Sequence, residues 1–476
     1  MLFKRYYDDA LAQASYLIGC QRTGEAVVID PLRDPEFYLA AARAEGMKIT
    51  KISETHIHAD YLSGSRELAR RTGAELLLSD EGGEGWRYVF AAEDGATLLH
   101  DGDSFSVGNI RLDVVHTPGH TPEHIVFVVT DGANSDAPIG VVSGDFVFVG
   151  DVGRPDLLEK AAGIAGTMEA GAKQLYASLT RFREMPDHIQ IWPGHGAGSP
   201  CGKALGAVPM STLGYEKIVN WAFEHDSEDS FVAEVLADQP EPPRYFATMK
   251  RLNRDGPPFL NGPARAQALG AGALAGAREG DPVFVDIRTG DLFSGGHLRG
   301  SLSIPLNKSF TNWAGWLLPY DRSIFLIAED QDQADNAART LSFIGLDAVR
   351  GWFGQDALDD QADGLETSDS ISVSEAQARV EAGTLLIDVR ARNEVVLGRP
   401  AGSHPIHLGY LSDHLASLPT DAPILVSCQS GGRSAIAQSV LQASGRNAIN
   451  VTGGYAAWNK AGLPEDRGAP AETASV

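Results

Sequence analysis

Histidine and aspartate side chains recur in four short motifs of the N-terminal half, and side chains of these types can hold a metal ion. The motifs are ETHIHADYLSG, HTPGHTPEH, VVSGDFVFVGDVGRPD and WPGHGAGS, and their metal-type residues are His56, His58, Asp60, His120, Asp145 and His195. Each motif follows a run of strand type and contains or adjoins Gly or Pro. Imidazole nitrogens and carboxylate oxygens are common ligands of transition metals. Packing alone does not explain four such clusters, so the sequence predicts a metal site.

A single cysteine in the C-terminal half stands where a nucleophile could be activated. Cys428 follows the apolar run ILVS and begins the stretch CQSGGRS, after which a helical pattern starts. Backbone N–H groups of a Gly-rich turn and the positive end of a helix favour a thiolate. The same groups would stabilise a terminal persulfide. The alternative is a small buried core residue on a tight turn.

Length and composition limit the classes of protein that fit. The chain has 476 residues, which predicts two to four domains at about 150 residues each. Its formal net charge of −24 disfavours nucleic acid as a partner. Three cysteines are too few for a disulfide framework, and there is neither a signal-type segment nor a long apolar run. We expect a cytoplasmic protein without a membrane segment.

The elements that must position these residues alternate between strand and helix patterns. Strands are predicted at 26–30, 111–116, 124–129 and 139–145, and helices at 35–45, 63–72 and 168–179. Arg254–Pro263, RDGPPFLNGP, is rich in Pro and Gly and predicts a domain boundary.

A repeat occupies the region beyond this boundary. Asp286 and Asp388, Gly300 and Gly402, and Gly351 and Gly453 are each 102 residues apart. We therefore predict two tandem α/β units with doubly wound sheets, joined by a linker at Ser368–Ser372. In the second copy Cys428 follows the apolar run ILVS, and in the first copy the aligned run IFLIA is followed by the acidic stretch that begins at Glu329.

The Cys428 loop resembles the rhodanese (sulfurtransferase) active loop, Cys-x-x-Gly-x-Arg, and both repeat units resemble rhodanese domains. The resemblance implies that Cys428 carries sulfur and that Arg433 anchors or recognises an anionic group. A related Cys-based phosphatase would have a loop one residue longer. The cradle for the sulfur would be formed by Gln429, Ser430, Gly431, Gly432 and Arg433. The first copy lacks the Cys, Gly and Arg, so it is expected to be inactive.

The order of the His and Asp motifs resembles the metallo-β-lactamase superfamily over residues 1–255. This implies an αββα sandwich with the site at the edge of two sheets. Two-metal hydrolases of the superfamily, such as the glyoxalase II type, usually carry His after the Asp of the first motif, where this chain has Tyr61. A phenol is the poorer ligand, since its pKa is about 10. The persulfide dioxygenase branch holds one iron through two His and one Asp.

Carried over by motif, the resemblance gives each residue an expected role. The ligands of a mononuclear Fe(II) would be His56, His120 and Asp145. The groups that orient ligands or handle protons would be His58, Asp60 and His195. Arg154 and Asp156 of GRPD would lie beside the substrate, although a salt bridge is the alternative. Cys201 is either a persulfide acceptor or relay near the iron or a partly buried thiol, and Cys20 is expected to be structural.

Two further stretches, GAGSPCGKALGAVPMSTLGYEKIVN and PPRYFATMKRLNRDGP, resemble bacterial persulfide dioxygenases fused to rhodanese domains. The expected domains are residues 1–255 for the dioxygenase, 264–365 for an inactive rhodanese copy and 366–476 for an active one. The fold class is thus α/β multidomain.

The leading functional hypothesis is oxidation of a small thiol persulfide to sulfite with O₂ as co-substrate, coupled to sulfur transfer through Cys428. Sulfite or thiosulfate would be the other small-molecule partner, and the direction of the transfer and the identity of the thiol stay open. A glyoxalase II-like two-metal thioester hydrolase and a non-catalytic sulfur carrier or sensor are the alternatives. The sequence also leaves a homo-oligomer open.

Overall fold

The computed structural model describes residues 1–160, 166–361 and 364–468. It divides into two compact units, one of Met1–Pro263 with Ser342–Gly345, and one of Ala264–Leu341 with Leu346–Val476. The ends of the predicted domains at 365 and 476 fall next to or within stretches outside the described residues. In the described ranges, no helix combines the length and the apolar character needed to cross a membrane.

The first unit contains two six-stranded sheets, each with its strands in chain order. The first sheet consists of β1 (Leu2–Asp8), β2 (Gln13–Cys20), β3 (Glu25–Ile29), β4 (Lys48–Ser53), β5 (Glu75–Ser79) and β6 (Thr97–Leu99). The second consists of β7 (Ser104–Val107), β8 (Ile110–His116), β9 (Ile125–Asp131), β10 (Gly140–Gly144), β11 (Gln190–Pro193) and β12 (Ser211–Thr212).

Helices cover the outer faces of both sheets. They are α1 (Pro35–Ala44), α2 (Ser65–Thr72), α3 (Leu157–Lys160), α4 (Thr167–Arg183), α5 (Leu213–Val219), α6 (Glu228–Leu236) and α7 (Tyr245–Asp255), with 3₁₀ turns at Glu84–Trp86 and Trp221–Phe223. Tyr16 and Ile29 of the first sheet pack with Phe127 and Trp192 of the second in a buried apolar layer. Further apolar layers lie between the first sheet and α1 and α2, and between the second sheet and α4 and α6. The four layers form an αββα sandwich.

The second unit contains two five-stranded parallel sheets with one topology. The first has the order β13 (Ala268–Leu269), β17 (Val349–Phe353), β16 (Ile324–Ile327), β14 (Val283–Asp286), β15 (Leu302–Ser303). The second has the order β18 (Ser370–Ile371), β23 (Ala448–Val451), β22 (Ile424–Ser427), β19 (Leu385–Asp388), β21 (His404–Pro405). A short ribbon joins β20 (Arg399–Pro400) to β24 (Glu465–Asp466).

The helices of the second unit begin near the carboxyl ends of its strands. They are α8 (Leu274–Ala277), α9 (Gly290–Gly295), α10 (Phe310–Leu317), α11 (Gln331–Ser342), α12 (Gln355–Asp360), α13 (Val373–Glu381), α14 (Arg392–Leu397), α15 (Gly432–Ala443) and α16 (Gly454–Lys460), with 3₁₀ segments at Ala271–Ala273 and Leu408–Ser417. Trp316 of α10 packs so closely on Gly409 of the second copy that a Cβ there would lie 2.1 Å from the indole ring.

Strand pairing corrects the sequence alignment of the two copies. Asp286 pairs with Ile327 in one sheet and Asp388 with Ser427 in the other, so the offset falls from 102 to 100 residues at this strand. Ala328, and not Glu329, therefore stands where Cys428 stands. The third anchor is also wrong, because Gly351 lies inside β17 whereas Gly453 follows β23. Part of the predicted linker is strand β18.

Candidate metal centre and cysteine loop

Three predicted ligands meet at the ends of the central strands of the first unit. The ligand atoms of His56, His120 and Asp145 lie within 4.8 Å of one another, and all three side chains are buried. Oδ2 of Asp145 lies 3.9 Å from Nε2 of His56 and 3.5 Å from Nε2 of His120. Among the described residues, this oxygen has no hydrogen-bond partner. A buried carboxylate oxygen without a donor is costly unless a cation is bound there, so the three side chains fit a metal ion.

Hydrogen bonds fix which ring nitrogens of the two histidines face Asp145. The Nδ1 atom of His120 donates to the carbonyl oxygen of Arg154 at 3.1 Å, which leaves a lone pair on Nε2. Thr55 Oγ1 lies 3.0 Å from Nδ1 of His56 and donates its hydrogen to Oδ2 of Asp30 at 3.0 Å. Nδ1 of His56 must therefore be the donor to Thr55. Both Nε2 atoms are then able to coordinate a metal.

Burial and neighbouring charges set the protonation of these side chains. Burial holds the pKa of His56 well below its usual value and also lowers the pKa of His120. Burial would raise the pKa of Asp145, but the His195 imidazole beside it holds that pKa below the usual range. Neutral imidazoles and a carboxylate anion are the forms that bind metal.

His195 stands between two carboxylates. Its Nδ1 atom lies 2.7 Å from Oδ1 of Asp145, and its Nε2 atom lies 2.7 Å from Oδ2 of Asp60. Burial opposes a charge on this ring, but the two carboxylates raise its pKa well above the usual value. The two carboxylates thus favour the protonated imidazolium form of His195.

Tyr61 and His58 form hydrogen bonds with Asp30. The hydroxyl of Tyr61 donates to the carbonyl oxygen of Asp30 at 3.3 Å and accepts from Nε2 of Gln13 at 3.3 Å. His58 Nε2 lies 3.0 Å from Oδ1 of Asp30. Asp30 itself has a positive φ of 54° and was not identified from the sequence. It organises this side of the site from the end of β3.

Two glycines of the His and Asp motifs lie where the chain packs too closely around Asp145 for a side chain. A Cβ at Gly144, where φ is +51°, would lie 2.6 Å from Thr55 Oγ1, and one at Gly194 would lie 2.7 Å from Oδ1 of Asp145. The backbone N–H of Asp145 donates to Nε2 of His124 at 3.1 Å. His124 belongs to the second motif, and its role as an acceptor for this N–H group was not predicted.

Cys201 lies beside Asp60 and His195, with ligand-type atoms of the three within 4.8 Å. The thiol is buried, and burial together with the Asp60 and Asp145 carboxylates raises its pKa well above the usual value. It is therefore a protonated thiol at neutral pH. Cys20 lies elsewhere, and its Sγ accepts the backbone N–H of Asn109 at 3.4 Å. This N–H group lowers the pKa of Cys20 to about 7.

Arg154 and Asp156 form a buried ion pair with both contacts at 2.7 Å. The remaining Arg154 donors bind the carbonyl oxygens of Pro200 at 3.1 Å and Pro240 at 2.6 Å. These contacts match the alternative prediction, in which Arg154 and Asp156 form a salt bridge. Both side chains are buried. A substrate anion would have to compete with these partners for the guanidinium.

The cysteine loop of the second unit lies between β22 and α15. Cys428 is buried, and its Sγ accepts the N–H of Gly431 at 3.1 Å and lies 3.4 Å from the Ser434 hydroxyl. The carbonyl oxygens of Cys428 and Gln429 accept N–H groups at the start of α16. Gly454 permits this approach, because its φ is +55° and a Cβ would lie 2.3 Å from the carbonyl oxygen of Cys428. The loop carbonyls thus point away from the sulfur.

Both arginines near Cys428 are engaged by acidic partners. Arg433 binds Glu394 through two contacts of 2.6 and 2.7 Å, so its guanidinium is held in place by an ion pair that the sequence analysis missed. Arg390 binds Asp388 and also donates to Oε1 of Gln429 at 3.1 Å. Ser430 and Gly432 are exposed at the same loop. Among the predicted cradle residues, Gly431 bonds to the sulfur, and Ser434, which was not predicted, lies beside it.

Comparison with known proteins agrees with this architecture. Residues 8–195 match the model of the metallo-β-lactamase superfamily, and residues 372–461 match that of the rhodanese-like domain. A metallo-β-lactamase structure from Staphylococcus aureus is 46% identical, with a TM-score of 0.69, over 74% of this chain and 99% of the other. The chain belongs to the metallo-β-lactamase superfamily. The predicted fold class, a superfamily sandwich followed by rhodanese-like structure, is confirmed.

Two curated relatives of this chain are both named hydroxyacylglutathione hydrolase. A hydroxyacylglutathione hydrolase of Rhodospirillum rubrum is 30% identical over 58% of this chain and 91% of its own length. A hydroxyacylglutathione hydrolase of a Polaromonas strain is 32% identical over 39% of this chain, and the chain spans 63% of that relative's length. Superfamily membership makes a metal-dependent enzyme the expected class.

Proposed function

We propose that the chain is a mononuclear non-haem Fe(II) persulfide dioxygenase with a coupled sulfurtransferase loop. The observation that carries the proposal is the unpartnered, buried Oδ2 of Asp145 facing the Nε2 atoms of His56 and His120. Two imidazoles and one carboxylate are the donor set of the facial-triad oxygenases. Asp60, His195 and Cys201 form a second group of ligand-type atoms, and we assign these side chains to proton handling because both nitrogens of His195 bind carboxylates.

An Fe(II) ion bound by these three side chains would supply open coordination positions for a persulfide sulfur and for O₂. Thr55 and the carbonyl of Arg154 orient the two imidazoles, and His195 holds a proton beside Asp145. The protonated thiol of Cys201 lies near this proton, where it can contact an incoming sulfur compound. His195 and Cys201 thus place two proton donors next to the ligands, and the Asp60 carboxylate accepts a hydrogen bond from His195.

The overall reaction would convert RSS⁻, O₂ and H₂O into RSH, SO₃²⁻ and H⁺. The S–S bond breaks, O₂ accepts four electrons from sulfur, and water provides the third oxygen of sulfite. In the second unit, a Cys428 persulfide would pass its terminal sulfur to sulfite, which gives thiosulfate and returns the Cys428 thiolate. The reverse reaction would take sulfur from thiosulfate and load Cys428.

A two-metal thioester hydrolase is the second candidate, because two relatives are named hydroxyacylglutathione hydrolase. Metal analysis combined with oxygen-electrode measurements separates the two functions. We expect one iron per chain and O₂ uptake that depends on a persulfide, tested with the persulfides of glutathione, coenzyme A, cysteine and bacillithiol. Two zinc ions per chain with cleavage of S-lactoylglutathione and no O₂ uptake would replace the proposal with the hydrolase.

A further inference from the structure

The loop that carries the first histidine motif is buried but belongs to no helix or strand. It runs from Glu54 to Gly64, between β4 and α2, and every residue of it except Ala59 is buried. Backbone N–H and C=O groups in such a loop cannot rely on water or on a regular ladder, so other parts of the protein must supply their hydrogen-bond partners. We call residues 54–64 the first-motif loop.

The side chain of Asn253 supplies three of these partners. Its Nδ2 atom donates to the carbonyl oxygens of His58 and Tyr61, both at 2.7 Å. Its Oδ1 atom accepts the backbone N–H of Ser63 at 2.9 Å. Two carbonyl oxygens need donors and one N–H needs an acceptor, so a single orientation of the amide satisfies all three bonds. Both amide hydrogens are therefore used on the first-motif loop.

Helix α7 holds Asn253 against this loop. The buried residues of α7 are Tyr245, Phe246, Met249 and Asn253, which share one face at helical spacing. Asn253 is the polar member of that face, and its side chain is 1% exposed. The stretch PPRYFATMKRLNRDGP, which contains α7, thus brings an amide to a motif that lies 190 residues earlier in the chain.

The bonds of Asn253 enclose the position of Asp60. Asp60 lies in the chain between His58 and Tyr61, whose carbonyl groups are both bound by the amide. Its Oδ2 atom lies 2.7 Å from Nε2 of His195, and Nδ1 of His195 lies 2.7 Å from the carboxylate of Asp145. A displacement of the loop by about 1 Å would take Asp60 out of hydrogen-bond range of His195.

We propose that Asn253 is a positioning residue of the metal centre, which holds the first-motif loop so that Asp60 binds His195. All three hydrogen bonds of the amide go to backbone groups, so its effect on the centre passes through the loop. The proposal rests on the metal centre of the proposed function, but it applies equally to a dioxygenase and to a thioester hydrolase.

Hydrogen exchange of the full chain, measured by mass spectrometry, tests the hold on the loop without any substrate. Asn253→Asp keeps the shape of the side chain but removes both donors, so the amides of residues 57–64 should exchange about tenfold faster. Asn253→Ser, whose side chain is one bond shorter, replaces it if the Asp variant does not fold. Unchanged exchange of residues 57–64 in the folded variant would overturn the proposal.

Gln438→Glu is the matched control for this measurement. The buried Gln438 of the second unit donates through Nε2 to the carbonyl oxygens of Asp369 at 2.8 Å and Ala448 at 2.9 Å. The variant therefore undergoes the same chemical change, from a buried amide between two carbonyl groups to a carboxyl group. Exchange of residues 57–64 should equal that of the wild type, and faster exchange there would show a general loss of stability and overturn the local role of Asn253.

A double-mutant cycle with Asp60 separates positioning from stability. At equal metal content, we expect Asn253→Asp and Asp60→Ala each to lower kcat about tenfold while KM stays within about twofold. The double variant should be no slower than Asp60→Ala, because the effect of Asn253 passes through Asp60. Additive losses would overturn the proposal.

Failure of the proposed reaction can be told apart from failure of this assignment. If the wild type consumes no O₂ with any persulfide, the dioxygenase proposal fails by itself, and the same cycle is measured on cleavage of S-lactoylglutathione. The hydrogen-exchange result does not depend on either reaction, so it decides the role of Asn253 in both cases.

Discussion

Nδ1 of His195 lies 2.7 Å from Oδ1 of Asp145, while the other oxygen of the same carboxylate faces His56 and His120. One oxygen of the Asp145 carboxylate therefore binds His195, and the other lies near the Nε2 atoms of His56 and His120. His195 thus lies on one side of Asp145, and the two predicted histidine ligands lie on the other.

Removal of a ligand should abolish metal binding. We expect His120→Ala to lower iron content at least tenfold, measured by inductively coupled plasma mass spectrometry, and to reduce persulfide-dependent O₂ uptake to background. His100→Ala is the control, because the His100 side chain is 56% exposed. Full iron content in His120→Ala would contradict the assignment of this ligand.

The Thr55 hydroxyl should matter for metal affinity although Thr55 is not a ligand. Thr55→Val leaves Nδ1 of His56 and Oδ2 of Asp30 without this partner, and partners of this kind typically contribute about 10- to 100-fold to metal affinity. Competition with a chelator measures the change. Thr55→Ser keeps the hydroxyl and should bind iron like the wild type, and equal affinity of Val and Ser variants would exclude this role.

Cys428 should be needed for sulfur transfer and not for oxidation. In Cys428→Ser, we expect no thiosulfate when persulfide, sulfite and O₂ are supplied, while O₂ uptake stays within about twofold of the wild type. Both products are quantified in one reaction by chromatography after thiol labelling. An unchanged yield of thiosulfate would remove Cys428 from the pathway.

The first copy should not gain activity from a cysteine alone. Ala328→Cys places a thiol at the position that strand pairing equates with Cys428, and Glu329→Cys places it one residue later. Neither restores the glycines or the arginine of the loop. We expect no thiosulfate:cyanide sulfurtransferase activity from either variant in a Cys428→Ser background, and any gain would show that the cradle is dispensable.

Lys250 should titrate near neutral pH. Its Nζ lies 3.3 Å from the centre of the Trp86 ring, and burial lowers the pKa of Lys250 to about 8. Because this is below the value of about 10.4 for an unfolded lysine, the contribution of Lys250 to stability should rise as the pH rises from about 8 toward 10. The difference in tryptophan fluorescence between wild type and Lys250→Met should have a midpoint near pH 8. A flat difference from pH 7 to 9 would refute this shift.

The sequence predicted that the candidate ligands lie close together, because each follows a strand and the strand ends of a sandwich meet at one edge. It could not identify Asp30 or Glu394, since their partners lie 25 and 39 residues away and the bonds depend on the paths of separate loops. It also equated Glu329 with Cys428, because the run IFLIA is one residue longer than the run ILVS and the two were aligned by their ends, whereas strand pairing aligns their starts.

The two sheets of the second unit share one strand order, but one connecting segment differs in length between the two copies. Leu306 and Leu408 make equivalent backbone bonds at an offset of 102, whereas Ile324 and Ile424 are 100 apart, so the copies diverged in length between these points. The longer segment contains α10, whose Trp316 covers Gly409 of the copy that kept its cysteine. The copy without the cysteine thus covers part of the copy that carries it. Deletion of the copy without the cysteine would expose Gly409 to solvent.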